Sequence, residues 1–497
     1  MSKQSLLIFS LLVTVNGTAL AQEQLGLRLS NYSGINSTII NPAYHTTAPF
    51  NWDINLLEGA FHASNNYVYI EETGLLDLYR NGEKLNFLIK PDLDSDVQLG
   101  PNDRLVDFDN NSRKRFGNIL SSVMGPSFFV AINPQHRIGL ITKWRFWGSS
   151  QDIPTILSYY SYDEQKFFNE FSIDPFRGAA ATWAELGLNY AYTTETSAGN
   201  LSLGITAKYL MGYEAAFVRN VNSFQYEKLP GDSISSLSSI QLRYGFTDSN
   251  LSSDNYNLTQ NGSGVAFDLG MVFTVGAYDG GAYDWKFGVS LIDIGRINFN
   301  KNAQLHELNG NDVFIVDTEV YKDFDSAEDF EAYIQDLSAQ TLGDQSATLA
   351  AESFKMALPM AFSLQADRAL SPHFYVGAAF TQGFPIGDAS IRRGSLLAVA
   401  PRFESRWFDA MLPISYYNWE DLRLGLSVRL AFLTLGSDHL GSIFTRSDFY
   451  GTDFYVALKF NPFKIGQSEK GQEGRSGAGS RGRGAGGGNG RVKCYQF

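Results

Sequence analysis

Cysteine is almost missing from this chain. Of its 497 residues only Cys494 is one, in the last few positions, so no disulfide framework holds the fold. No His stands near Cys494 in sequence, and it reads as an incidental exposed thiol rather than a nucleophile. Charge is also scarce, at 18%. Past the N-terminus no apolar run reaches the 18 or so residues a membrane helix needs. Disorder is excluded by an apolar content of 44%. What is abundant is glycine (47) and aromatic side chains (37 Phe, 25 Tyr, 7 Trp). Short apolar stretches set among glycine and aromatics point to β structure.

The N-terminus has the order of an export signal. Lys3 is followed by an apolar core from Leu6 to Val15 and by Ala19-Leu20-Ala21 before Gln22, so residues 1–21 are expected to be a cleaved secretory peptide.

Beyond it the chain alternates. Leu186, Leu188, Tyr190 and Tyr192 share one face, against Glu185, Gly187, Asn189 and Ala191. Leu201, Leu203 and Ile205 oppose Ser202, Gly204, Thr206 and Lys208, and Phe267, Leu269, Met271 and Phe273 oppose Asp268, Gly270 and Thr274. Leu422 to Phe432 and Phe454 to Phe460 repeat the pattern. Successive strand side chains point to opposite faces, so each segment has one apolar face and one small or charged face. Several runs last roughly 9 to 12 residues, enough to cross hydrocarbon when tilted, against about 5 or 6 for a soluble strand. Trp144, Trp147, Trp183, Trp285, Trp407, Trp419, Tyr450 and Tyr455 fall near segment ends, where interfacial girdles would sit.

Sixteen stretches qualify as candidate strands, those at 65–71, 215–227 and 239–248 being the weakest. Because bacterial barrels have even strand numbers, the expectation is an all-β, transmembrane antiparallel outer-membrane β-barrel of about 14 strands, with 16 admitted. Asp279-Gly280-Gly281 reads as a tight hairpin. The division expected is a hatch-like segment over 22–51, a barrel over 52–464 and a flexible tail over 465–497. Two parts of the barrel region stand apart. Residues 72–118 read as a polar loop in which Asp92, Asp94 and Asp96 resemble the start of a calcium loop, but Val97 replaces the required glycine. Residues 294–356 read as an insert with a helix, opened by the capping box Ser326-Ala-Glu-Asp329 and carrying Phe330, Tyr333, Ile334 and Leu337 on one face. The tail holds 11 Gly and six Lys/Arg against two Glu, on a chain whose net charge is −13. It reads as a spacer or as a tether for anionic envelope polymers.

Ile39-Ile40-Asn41-Pro42-Ala43-Tyr44, just before the first strand, resembles the Asn-Pro-Ala element of long-chain fatty-acid transporter (FadL-like) barrels and of PorV- and PorP-type barrels of Bacteroidota. Gly125-Pro-Ser-Phe-Phe-Val-Ala-Ile followed by Ile138-Gly-Leu-Ile-Thr-Lys-Trp-Arg145 resembles an early hairpin of those proteins. Ser290-Leu-Ile-Asp-Ile-Gly-Arg-Ile-Asn298 is similar to a motif of an uncharacterised Bacteroidota barrel family. The resemblance implies a FadL-like fold in the cell outer membrane, with Asn41, Pro42 and Ala43 in a hatch. It transfers no ligand, and the basic tail departs from barrels that end on their last strand.

No catalytic or metal-ligating pattern stands out. The six histidines (45, 62, 136, 306, 373 and 439) are scattered, and His439 near Ser437 and Ser442 reads as a loop residue. The expectation is a non-enzyme without metal or cofactor, in contact with outer-membrane lipid and not with nucleic acid. Passive transport of small hydrophobic molecules is the first reading. An accessory barrel that docks secreted or surface proteins of the envelope is the alternative. Lys143, Arg145, Lys208, Arg402, Glu404, Arg406, Arg423 and Arg429 are expected to face the lumen, because charge on the lipid side costs about 2–4 kcal/mol at midplane.

Overall fold

The alternation closes on itself. In a computed structural model, which describes residues 23–462 apart from 94–97, 110, 112, 159–165, 231–233, 250–256, 277–282, 312 and 316–329, the chain forms a closed antiparallel barrel of 14 strands. The expected signal segment, the tail with Cys494, Asp94 and Asp96, the expected hairpin at Asp279-Gly280-Gly281 and the expected capping box all lie outside the described residues.

The wall runs in chain order. Its strands are β1 (Trp52–Asn65), β2 (Arg115–Met124, continued by Ser127–Ala131), β3 (His136–Ile153), β4 (Arg177–Thr196), β5 (Gly199–Asn220), β6 (Gly262–Val275) and β7 (Trp285–Phe299). There follow β8 (Phe354–Ala357 and Ala361–Ala369), β9 (Phe374–Gly383), β10 (Leu396–Glu404), β11 (Phe408–Met411 and Ile414–Tyr417), β12 (Asp421–Leu424 and Leu426–Leu430), β13 (Leu433–Ser437) and β14 (Gly451–Phe460). The barrel closes where β1 pairs with β14, from Ile54↔Phe460 to Ser64↔Gly451. Closure leaves no unpaired wall edge, the condition for a sheet to survive in hydrocarbon.

Each face matches its composition. Leu188 is 65% exposed and Met271 40%, pointing outward, whereas Glu185 and Asp268 on the same strands, and Lys208 on β5 between them, are buried inside. One end carries short connections, such as 132–135, 197–198 and 431–432. The other carries long ones. Val68–Thr73, Asn86–Ile89, Asp103–Phe108 and Ser447–Phe449 form one four-stranded sheet there, and Glu170–Ile173, Phe224–Leu229, Ile234–Ser238 and Val313–Ile315 form another. The helix expected in the 294–356 insert is present as α1 (Phe330–Leu342).

Two of the candidate strands are therefore not wall, and a third is wall only in part. The 65–71 stretch belongs to the first small sheet. The 215–227 stretch splits between the end of β5 and the second small sheet. Ile240–Thr247 pairs with Ala303–Gly310 as a wedge beside the end of β5. Conversely, β2 begins inside the expected 72–118 loop. Its inward residues include Phe116, Leu120 and Met124, so both faces are apolar there and the alternation is hidden.

Candidate functional site in the bore

The bore is occupied by the chain's own N-terminal segment. A helical turn at Leu25–Arg28 and 3-10 turns at Gly34–Ile39 and Tyr44–Thr47 carry residues that are almost all buried. Short turns of this kind leave backbone groups without internal partners, and the wall supplies them. Leu25 N–H donates to Asp438 at 3.1 Å and Gly26 N–H to the Tyr455 hydroxyl at 3.1 Å. Asn31 is gripped on several sides: its N–H and amide donate to Glu404 at 3.0 and 2.9 Å, while Tyr283 and Lys286 donate to its Oδ1 at 2.7 and 3.1 Å.

Asn41, Pro42 and Ala43 rest on the inner wall of β4 to β8. The Asn41 amide donates to the carbonyl of Met271 (3.1 Å) and to Gln365 (3.0 Å), and its Oδ1 accepts from Ala43 N–H (3.0 Å). Asn189 donates to the Pro42 carbonyl at 3.1 Å. The wall is glycine at the points of closest approach. A Cβ at Gly270 would fall 2.2 Å from Asn41 Oδ1, and one at Gly204 would fall 2.5 Å from the Ala43 nitrogen. The glycines on the polar face of β5 and β6 thus make room for this motif.

Around the segment, charges are paired. Arg28 meets Glu58 at 2.5 Å with both side chains buried. Arg145 meets Asp293 (2.9 Å) and Glu185 (3.0 Å), and Lys208 meets Asp268 and Asp293, each at 2.7 Å. Arg393, from the 384–395 connection, joins Asp293 at 2.7 Å and Glu23 at 3.2 Å, tying the segment to the wall. Arg402 meets Asp367 (2.5 Å) and Glu404 (2.6 Å), and Arg429 meets Asp409 (2.6 Å). Arg423 donates to Ser64 and Asp421 and lies 4.0 Å over the Tyr417 ring. Such ions are tolerable away from water only because each has a partner.

Seven of the eight charged residues expected in the lumen are buried inside: Lys143, Arg145, Lys208, Arg402, Glu404, Arg423 and Arg429. Arg406 is not. β10 ends at Glu404, and Arg406 sits half-buried in the following bend, over the exposed Trp407 ring. Sequence reading missed the acids Glu58, Asp293 and Asp367 and the cations Arg28, Lys286 and Arg393. For Glu58, Lys286, Asp293 and Asp367 the one available signal was their place on strand segments; Arg28, in a helical turn, and Arg393, in a connection, had none. No spacing links Arg28 to Glu58 or Arg393 to Asp293.

Two small cavities lie beside the segment. One cavity of about 10 Å³ lies among Glu23, Arg28, Lys143, Arg145 and Arg393, and another of about 20 Å³ among Tyr32, Arg402, Asp409 and Arg429. Each is the size of a single water. Toward the loop end the bore becomes apolar, with Trp147, Trp183, Phe217, Phe299, Phe354 and Met356 in one cluster. Ser442 Oγ donates to the His439 carbonyl (2.8 Å) and to Thr452 rather than to the imidazole. Among the described residues no His, Cys, Asp and Glu group could hold a metal ion.

Several solved barrels are similar in architecture. The P. putida toluene transporter TodX shares 10% identity over 86% of this chain and 94% of its own, with a TM-score of 0.39. The Ralstonia pickettii toluene transporter TbuX gives 10%, 86%, 94% and 0.39. A Pseudomonas aeruginosa FadL homologue gives 10%, 86%, 94% and 0.25. No curated protein matches the chain. Residues 42–438, most of the barrel with the Pro42 and Ala43 seat included, match a family of unknown function (DUF5723), and the chain belongs to that family.

Proposed function

We propose that this protein is an outer-membrane β-barrel that admits small hydrophobic molecules, with residues 23–48 as the internal barrier that must shift for passage. The apolar outer belt suits acyl chains, and the disparity between short and long connections suits a barrel whose long loops face outward. The observation that carries the transport reading is the apolar cluster inside the loop end of the bore. It lies beyond the ion-paired region, where a hydrophobic solute entering from outside would first shed water. The water-sized cavities beside the N-terminal segment suit a closed state of such a path.

A second reading has its own support. Water-sized interior cavities together with two four-stranded sheets at the loop end suit an accessory barrel that docks other envelope proteins. Liposome swelling, paired with mass spectrometry of molecules extracted from the purified barrel, separates the two. Co-purified hydrophobic cargo, with solute entry that rises when the N-terminal segment is loosened, supports transport. A barrel that carries nothing and stays impermeable after loosening supports docking.

A further inference from the structure

At the loop end of the bore three arginines stand side by side. Arg219 of β5 is in register with Arg177 of β4 on one side and with Arg243 of the wedge strand on the other, and Arg243 is opposite Glu307. All three share the inward face with Phe217, two residues before Arg219. Like charges directly opposite across a sheet destabilise it, so a row of three guanidinium groups calls for an anion. One is present. Asp388, on the 384–395 connection, accepts from both Arg219 and Arg243, its Oδ2 lying 2.5 Å from Arg243, while Glu307 pairs with Arg243 at 3.1 Å. Arg177 makes no ion pair among the described residues. The Arg219, Arg243 and Asp388 side chains keep about a quarter to a third of their surface in solvent, so the place is reachable from outside.

We propose that Arg177, Arg219 and Arg243 form a phosphate-binding site at this mouth, which the Asp388 carboxylate now fills as a built-in stand-in. With Asp388 withdrawn, three guanidiniums face a single carboxylate, Glu307, and the surplus matches the charge of close to −2 that a phosphate monoester carries at neutral pH. Guanidinium groups favour paired hydrogen bonds to phosphate oxygens. Displacing Asp388 also loosens the connection that five residues on carries Arg393, which holds Glu23 of the N-terminal segment and Asp293 of the wall. Phosphate at the mouth would thereby weaken the hold on the segment. The binding itself does not depend on whether anything crosses the bore.

Equilibrium dialysis of the detergent-solubilised full chain against labelled inorganic phosphate, at fixed ionic strength, tests this. The expected result is binding that tightens at least tenfold in Asp388→Asn, where the internal competitor has lost its charge, and weakens at least tenfold in Arg219→Gln. Heat-modifiable gel migration checks that both variants keep the barrel. Competition distinguishes the source of the phosphate. Displacement by short-chain phosphatidic acid in mixed micelles at lower concentration than by free phosphate assigns the site to a lipid headgroup. Equal or weaker displacement assigns it to a soluble phosphate. Asp388→Asn binding no more tightly than the unaltered chain, or Arg219→Gln binding equally well, overturns the proposal.

Discussion

Arg28 and Glu58 form one of the pairs in the bore whose two side chains are both withdrawn from water. Arg28→Ala leaves a buried carboxylate without its cation, and a loss of about 3–5 kcal/mol is expected in the unfolding free energy measured by urea titration in lipid vesicles. Pairing Arg28→Met with Glu58→Gln should recover most of it, since no bare charge then remains. A pH effect belongs to the same scale, just past β13. Burial, reinforced by the Arg423 cation, pushes the His439 imidazole down from 6.5 to about 4. The unfolded chain therefore takes up that proton first, and stability held above pH 6.5 is lost as pH falls toward 4. Asp438 works the other way, because burial and the Asp453 carboxylate push it up to about 8. Its contribution is full near pH 4 and is lost as pH rises toward 8. Thermal midpoints from pH 4 to 8 should show His439→Gln flattening the acid limb and Asp438→Asn the alkaline one.

At the scale of elements, the N-terminal segment is held by fit as much as by charge. A valine at position 270 puts its branch where Asn41 Oδ1 lies, so Gly270→Val should lift the segment from its seat while β6 stays paired. Arg28 is the one tryptic site between residues 22 and 51, and its buried position should resist trypsin in the unaltered protein. Cleavage there at least tenfold faster in Gly270→Val is the expected outcome. The sequence made this element half visible. Asn41-Pro42-Ala43 could be recognised as a motif, and Gly204 and Gly270 could be placed on the polar face of their strands. That the two meet follows from a chain separation of more than 150 residues, which no local pattern encodes. The long strands β4, β5 and β6 were legible because one face is apolar and the other is not. β2 was obscured because Phe116, Leu120 and Met124 turn inward to pack the bore. Glu404, two residues from Arg402, could be placed by the same alternation as the strand cations, whereas Glu58, Asp293 and Asp367 could not be assigned as partners, since an ion pair across a barrel has no spacing. Arg406 was misplaced for the opposite reason: the alternation was carried past the point where the strand bends away.

For the whole molecule, a membrane barrel requires the outward Leu, Phe and Met side chains to lie in hydrocarbon rather than merely at a surface. Exposure alone does not distinguish the two, because Leu269 is 45% exposed on the wall and Leu258 is 61% exposed in a connection at the loop end. A lysine at each does. Measured by reversible unfolding from lipid vesicles, Leu269→Lys should cost about 2–4 kcal/mol, whereas Leu258→Lys should stay within about 0.5 kcal/mol of the unaltered chain. Equal, near-zero costs at both positions would mean that the belt faces water, and the membrane barrel would fall with it.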